Sequence, residues 1–201
     1  MSPKAKDLSL SPRAVNLVID MQRVFAEDTA WRIDDFASIV RPVSRLAAHC
    51  PARTLFTSFR TPDTPEAAHG HWSTYYRRWS MVTLAQMDSA MLDLIPALRA
   101  FQAPDRVIGK RGYSAFEGAA LETALERLGA EDLIVCGVET DVCVLATIFS
   151  AIDRGHRVIV PADAVASASR EAHEATLGRL LPRIHPQVEL SDSETVLTAW
   201  S

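Results

Sequence analysis

The sequence predicts an α/β domain in three layers: a parallel sheet with helices on both faces. Three observations carry this. Apolar runs such as Ala14 to Ile19 and Leu133 to Gly137 have strand length and no clean polar alternation, as in strands buried on both faces. These runs alternate with segments of helical spacing, which calls for right-handed crossovers between parallel strands. The 201-residue chain suits one domain with a sizeable core.

The elements follow in order. Residues 1–12 read as a loose tail and 13–201 as the domain. Ala14 to Asp20 is the first strand, ending in a carboxylate. Asp34 to Cys50 carries Phe36, Ile39, Val40, Val43, Leu46 and Ala47 at helical spacing. Thr54 to Phe59 is the second strand. Residues 60–91 are irregular, with two prolines, an HGH run and the aromatics Trp72, Tyr75, Tyr76 and Trp79; so long a connection is functional or carries short helices. Met91 to Phe101 reads as a short helix interrupted near Pro96, and Arg106 to Lys110 as the third strand. Glu117 to Leu128 is a helix stopped by Gly129. The fourth strand, Leu133 to Gly137, turns through Glu139-Thr140-Asp141 into a helix that starts near Cys143 and ends near Gly155, with Thr140 or Asp141 as its cap. His156 to Pro161 is the fifth strand, Ser169 to Leu181 a helix capped by Ser169, Gln187 to Leu190 a sixth strand, and Ser193 to Trp200 a last helix.

Composition narrows the function. A net charge of −4 with no Lys/Arg block gives no case for nucleic acid. No apolar run approaches the roughly 20 residues of a membrane span. The first twelve residues lack the apolar core of a signal peptide, which makes a cytoplasmic protein the expectation. Three cysteines, Cys50, Cys136 and Cys143, form no CxxC pair and suggest neither disulfides nor zinc. Neither GxGxxG after the first strand nor GxxxxGK[ST] occurs, so a dinucleotide or triphosphate site is unsupported. No cofactor is expected.

Cys143 is the candidate nucleophile. It follows the central fourth strand at a helix start, where free N–H groups and the helix dipole favour a thiolate and an oxyanion. Ligands of such sheets bind at this carboxyl edge. Asp20 ends strand one there and Lys110 ends strand three. A thiol nucleophile wants a base, a cation and oxyanion donors; Asp20, Lys110 and the turn 139–143 are the candidates. Strand three lies two strands from strand one in a doubly wound order. Lys110 must therefore use its full length, or the chain must curl inward at Arg111-Gly112-Tyr113. Cys136 reads as core and Gln22 as a supporting hydrogen bonder.

Three stretches together resemble the isochorismatase-like cysteine hydrolases: Val18-Ile19-Asp20-Met21-Gln22, Lys110-Arg111-Gly112-Tyr113-Ser114-Ala115-Phe116 and Gly137-Val138-Glu139-Thr140-Asp141-Val142-Cys143-Val144. The resemblance implies a six-stranded Rossmann-like sheet in the order 3-2-1-4-5-6 and an Asp-Lys-Cys triad at Asp20, Lys110 and Cys143. It implies a cis peptide between Val138 and Glu139, with the backbone N–H groups of Glu139 and Cys143 as the oxyanion hole. It implies an enzyme that cleaves a C–N bond of a small amide, ureido or carbamoyl compound through a thioester, and a homodimer or homotetramer. The alternatives are an isochorismatase-type vinyl ether hydrolase and a non-catalytic binding relative. Candidate substrate contacts are Phe25, Arg60, Trp72, Tyr76, Tyr113 and Phe116. Arg60 suits a substrate carboxylate or an ion pair; the aromatic cluster suits a substrate wall or an oligomer contact. Two departures matter. Nicotinamidases of the family carry a metal-binding Asp-x-His after strand two, whereas Ser58-Phe59-Arg60-Thr61-Pro62 stands here, so no metal is expected and nicotinamide fits less well. Glu139 takes a position where relatives often have a small residue, and its carboxylate either repels an acid, binds a cation or faces solvent.

Overall fold

The computed structural model describes residues 8–200. Its sheet has seven strands: β1 Val15–Ile19, β2 Thr54–Phe59, β3 Val107–Lys110, β4 Asp132–Val138, β5 Arg157–Pro161, β6 Val165–Ala166 and β7 Val188–Ser191. All pairings between these strands are parallel, in the order β3-β2-β1-β4-β5-β7, with β6 beside the end of β4. The expected order holds, with the predicted sixth strand in the place of β7. The expected count of six is corrected by β6, whose two residues are too few to form a pattern.

Why the centre is β1 and β4 is plain in the side chains. Every residue of both strands is buried, so neither shows polar alternation. Gly137 of β4 has φ 109, and a Cβ there would stand 2.1 Å from the Ile19 carbonyl oxygen. Only glycine lets the end of β4 press against the end of β1. That contact sets the Glu139 turn beside Asp20.

The helices are α1 Arg23–Ala26, α2 Phe36–His49, α3 Trp72–Arg78, α4 Ala120–Leu128, α5 Leu145–Ile152, α6 Arg170–Ala175 and α7 Ser193–Ala199. α4 ends on Gly129 in the left-handed region (φ 56), and the Ser169 hydroxyl caps α6 by accepting from the Ala172 N–H at 3.2 Å. Three expectations change. Met91 to Phe101 holds only 3₁₀ turns, Ser89–Leu92 and Pro96–Leu98, because Pro96 interrupts the backbone ladder. The predicted Ser169–Leu181 helix closes at Ala175 and continues as a π turn and a 3₁₀ turn over Thr176–Ile184. The Cys143 helix opens as a π turn, Thr140–Val144, with no side-chain cap. Thr140 and Asp141 turn away instead: Thr140 Oγ1 bonds His173 Nδ1 at 2.8 Å, and Asp141 accepts from the Ser167 hydroxyl.

Of the expected tail, residues 1–7 lie outside the described residues. Leu8 and Leu10 pack against the core, and the Ser11 N–H donates to Asp132 Oδ2 at 2.8 Å. Among the described residues no helix is long and apolar enough to cross a membrane.

Candidate active site

Three strand ends converge at the carboxyl edge of the sheet. Asp20, just past β1, is fully buried and has φ 48, the left-handed region that Asp and Asn enter more readily than other side chains. Its backbone N–H donates to Thr57 Oγ1 at 3.0 Å, and the Thr57 hydroxyl donates back to Asp20 Oδ1 at 2.6 Å. Thr57, a buried hydroxyl inside the apolar run of β2, thus holds Asp20 by two bonds, one to its backbone and one to its carboxylate.

Lys110 ends the edge strand β3, paired with Phe59 of β2. Its ammonium passes the Phe59 ring, 4.6 Å from the centroid, and reaches Asp20 Oδ2 at 2.7 Å. It also donates to the Gly112 carbonyl at 3.1 Å. Both expected devices are therefore used: the full length of the side chain and a curl of the chain after it. Glu117 clamps that curl by accepting from the Arg111 N–H at 2.5 Å and from the Gly112 N–H.

Cys143 stands in the π turn after β4, 6% exposed, and the Thr147 hydroxyl donates to its carbonyl at 2.7 Å. Asp20 and Lys110 are close enough to act on its thiol by charge. Burial pushes the thiol well above its ordinary pKa, the Asp20 carboxylate raises it further, and Lys110 pulls it back. The Lys110 ammonium answers oppositely. Burial would lower it, but the charges of Asp20 and Cys143 outweigh burial and hold it up. The thiol thus stands with a carboxylate and an ammonium, the parts that nucleophilic catalysis requires.

The thiol opens into a cavity of about 360 Å³. Its walls are Phe25, Trp31, Phe59, Tyr75, Trp79 and Tyr113, with Ala30, Arg32, Arg78, Glu139, Val142 and Ala168 completing the lining. Phe25 and Trp31 lie near-parallel, centroids 5.8 Å apart, and Phe59 meets Trp31 edge-on.

Residues 14–194 match the family model of the isochorismatase domain. The chain belongs to the isochorismatase family. It is a hydrolase of that family. Nicotinamidase 3 of Arabidopsis thaliana is 42% identical over 167 residues, which covers 83% of this chain and 80% of that protein. A cysteine hydrolase from Pseudomonas syringae pv. phaseolicola 1448A superposes with a TM-score of 0.80 at 24% identity, over 100% of this chain and 98% of that one. N-carbamoylsarcosine amidase from Thermoplasma acidophilum follows at 0.69 and 22%, over 90% of this chain and 96% of that one. At those identities both structures speak to the fold.

Within this isochorismatase-family cavity the sequence-derived contacts divide. Phe25 and Tyr113 line it. Trp72 stands behind Tyr113 with centroids 4.9 Å apart, and Tyr76 is buried beneath Trp31 and Trp72 with its hydroxyl unpartnered among the described residues. Arg60 is exposed and lies along Gly109. Phe116 packs under Arg154 and His156, away from the cavity. Sequence reasoning missed Trp31 and Arg32, which a loop carries back over the cavity, and Thr57. A polar residue inside an apolar strand was the available signal for Thr57. Gln22 is the supporting group expected of it: it accepts from the Phe59 N–H at 2.8 Å and donates to the Leu92 carbonyl at 2.6 Å. After β2, where the metal ligands of nicotinamidases would stand, this chain offers Arg60, Thr61 and Pro62. That set has no imidazole or carboxylate donor, so no step below runs through a metal.

Proposed function

We propose that this hydrolase cleaves the C–N bond of a small carboxamide, ureido or carbamoyl compound through a thioester on Cys143. The observation that carries the reading is the Asp20–Lys110 pair, 2.7 Å apart and walled off from solvent, set against a thiol at the cavity wall. A buried ion pair of this kind is costly to desolvate and is a weak device for stability, which favours a chemical role. The 42% identity to a nicotinamidase puts carboxamides first among substrates.

In this mechanism Asp20 takes the Cys143 proton as sulfur attacks the carbonyl carbon. The tetrahedral oxyanion is met by the backbone N–H groups of Glu139 and Cys143. The Glu139 carbonyl already occupies the Val142 and Val144 N–H groups, at 3.1 and 3.0 Å, and so fixes the turn that aims the others. Collapse breaks the C–N bond, and Asp20 passes its proton to the departing amine. Asp20 then takes a proton from water, whose oxygen attacks the thioester; the acid leaves and sulfur recovers its proton. Lys110 balances the carboxylate throughout.

The test is ammonia release over a panel of small amides and ureido acids, nicotinamide included, with intact-mass detection of an acyl adduct on Cys143. Turnover with a trapped adduct is expected; turnover that persists without Cys143 would overturn the reading. Thr57→Val should lower kcat/KM about tenfold and stability by about 1–2 kcal/mol, as expected for a buried carboxylate losing a hydrogen bond. Urea unfolding and initial rates on one preparation check both numbers.

A further inference from the structure

Glu139 supplies the acidic side chain of the cavity lining. Its Oε2 lies 3.3 Å from Ser167 Oγ, and the next residue, Ala168, is itself part of the wall. The Ser167 hydroxyl proton goes to Asp141, which is not among the lining residues. Tyr75 from α3, Tyr113 from the curl after β3, Glu139 and Cys143 all line this one cavity.

We propose that the cavity selects amides bearing a compact organic cation, an ammonium or quaternary ammonium, with Glu139 as the counter-charge and the aromatic rings as its walls. This rests on the amide-hydrolase reading and names its substrate class. Two observations converge on it. A carboxylate pinned among aromatic faces is the chemistry that holds organic cations. A cation already uses this wall: the Arg78 guanidinium stands 5.6 Å from the Trp79 ring centroid. The opposing charges are Arg32 and Arg78. Both are exposed, and Arg32 stands 3.8 Å from Asp34. Solvent screens them, whereas Glu139 is half-buried in the cavity lining. Burial, and then Asp141, push the Glu139 carboxyl above the ordinary carboxylate range, and an entering cation would draw it back down.

The test compares three primary amides of one length: 4-(trimethylammonio)butanamide, its neutral isostere 5,5-dimethylhexanamide, and 4-carbamoylbutanoate. The cationic amide is expected to lead the isostere by about tenfold in kcat/KM, and the anion by more. Glu139→Gln should remove most of that lead, and Trp79→Leu should cut it about threefold. A wild-type enzyme with no cation preference, or with a preference for the carboxylate, overturns the proposal; so does a lead that survives both substitutions. Calorimetric binding of the same three compounds to the Cys143→Ser variant reads the ranking without turnover. Cation-first binding with no hydrolysis of any amide would remove the amide-hydrolase reading and leave the cation site. Absence of binding by the cationic amide would remove the cation site alone.

Discussion

Cys143→Ala is expected to lower turnover of any true substrate by about 10⁴-fold or more, with the fold intact, because the residue being removed is the one that bonds the substrate. The companion variant is more discriminating. In Asp20→Asn the proton acceptor is gone, and kcat/KM should fall by roughly 10²–10⁴-fold. Yet the charge of the Asp20 carboxylate raises the Cys143 pKa. Neutralising it lowers that pKa, leaves more thiolate at pH 8, and should speed alkylation of Cys143 by iodoacetamide. Turnover and alkylation therefore move in opposite directions. A merely structural Asp20 would move them together, since a collapsed site slows both. Peptide mapping separates Cys143 from Cys136, which is fully buried and whose thiol burial pushes well up. Slower alkylation in Asp20→Asn, or unchanged turnover, would reject the assignment of Asp20 as base.

What the sequence disclosed follows from how each element meets its surroundings. β1 and β4 are buried on both faces, and a continuous apolar run is what such strands need, so both were legible. Asp20, Lys110 and Cys143 were legible as strand-end residues at one edge, because a parallel sheet brings all carboxyl ends to the same side. β6 escaped because two residues make no pattern. α3 had a signal that went unused: Trp72, Tyr75, Tyr76 and Trp79 recur at helical spacing within the stretch read as irregular. The cap expected from Thr140 or Asp141 failed for a tertiary reason, since His173 and Ser167 reach across and claim those oxygens. Trp31 and Arg32 were beyond reach, because nothing local tells that the loop between α1 and α2 doubles back over the thiol.

The Asp20–Lys110 pair yields the largest stability effect. Lys110→Met keeps most of the stem that passes Phe59 but leaves the Asp20 carboxylate charged, buried and unpaired; a loss of about 3–5 kcal/mol is expected in urea or thermal unfolding. Asp20→Asn alone strands the ammonium in the same way, although Asn tolerates the left-handed backbone at φ 48 and can keep the Thr57 contact. The double variant Asp20→Asn/Lys110→Met buries no charge. It should be clearly more stable than Lys110→Met and approach the parent, a coupling readable as a double-mutant cycle. Activity should not follow, and all three variants should stay at least about 10²-fold below the parent on every amide it hydrolyses. Recovery of stability without recovery of turnover is the outcome that distinguishes a pair kept for chemistry from one kept for folding. If the double variant instead loses the sum of the two single losses, the ion pair is not what stabilises either partner, and the electrostatic account of Cys143 fails with it.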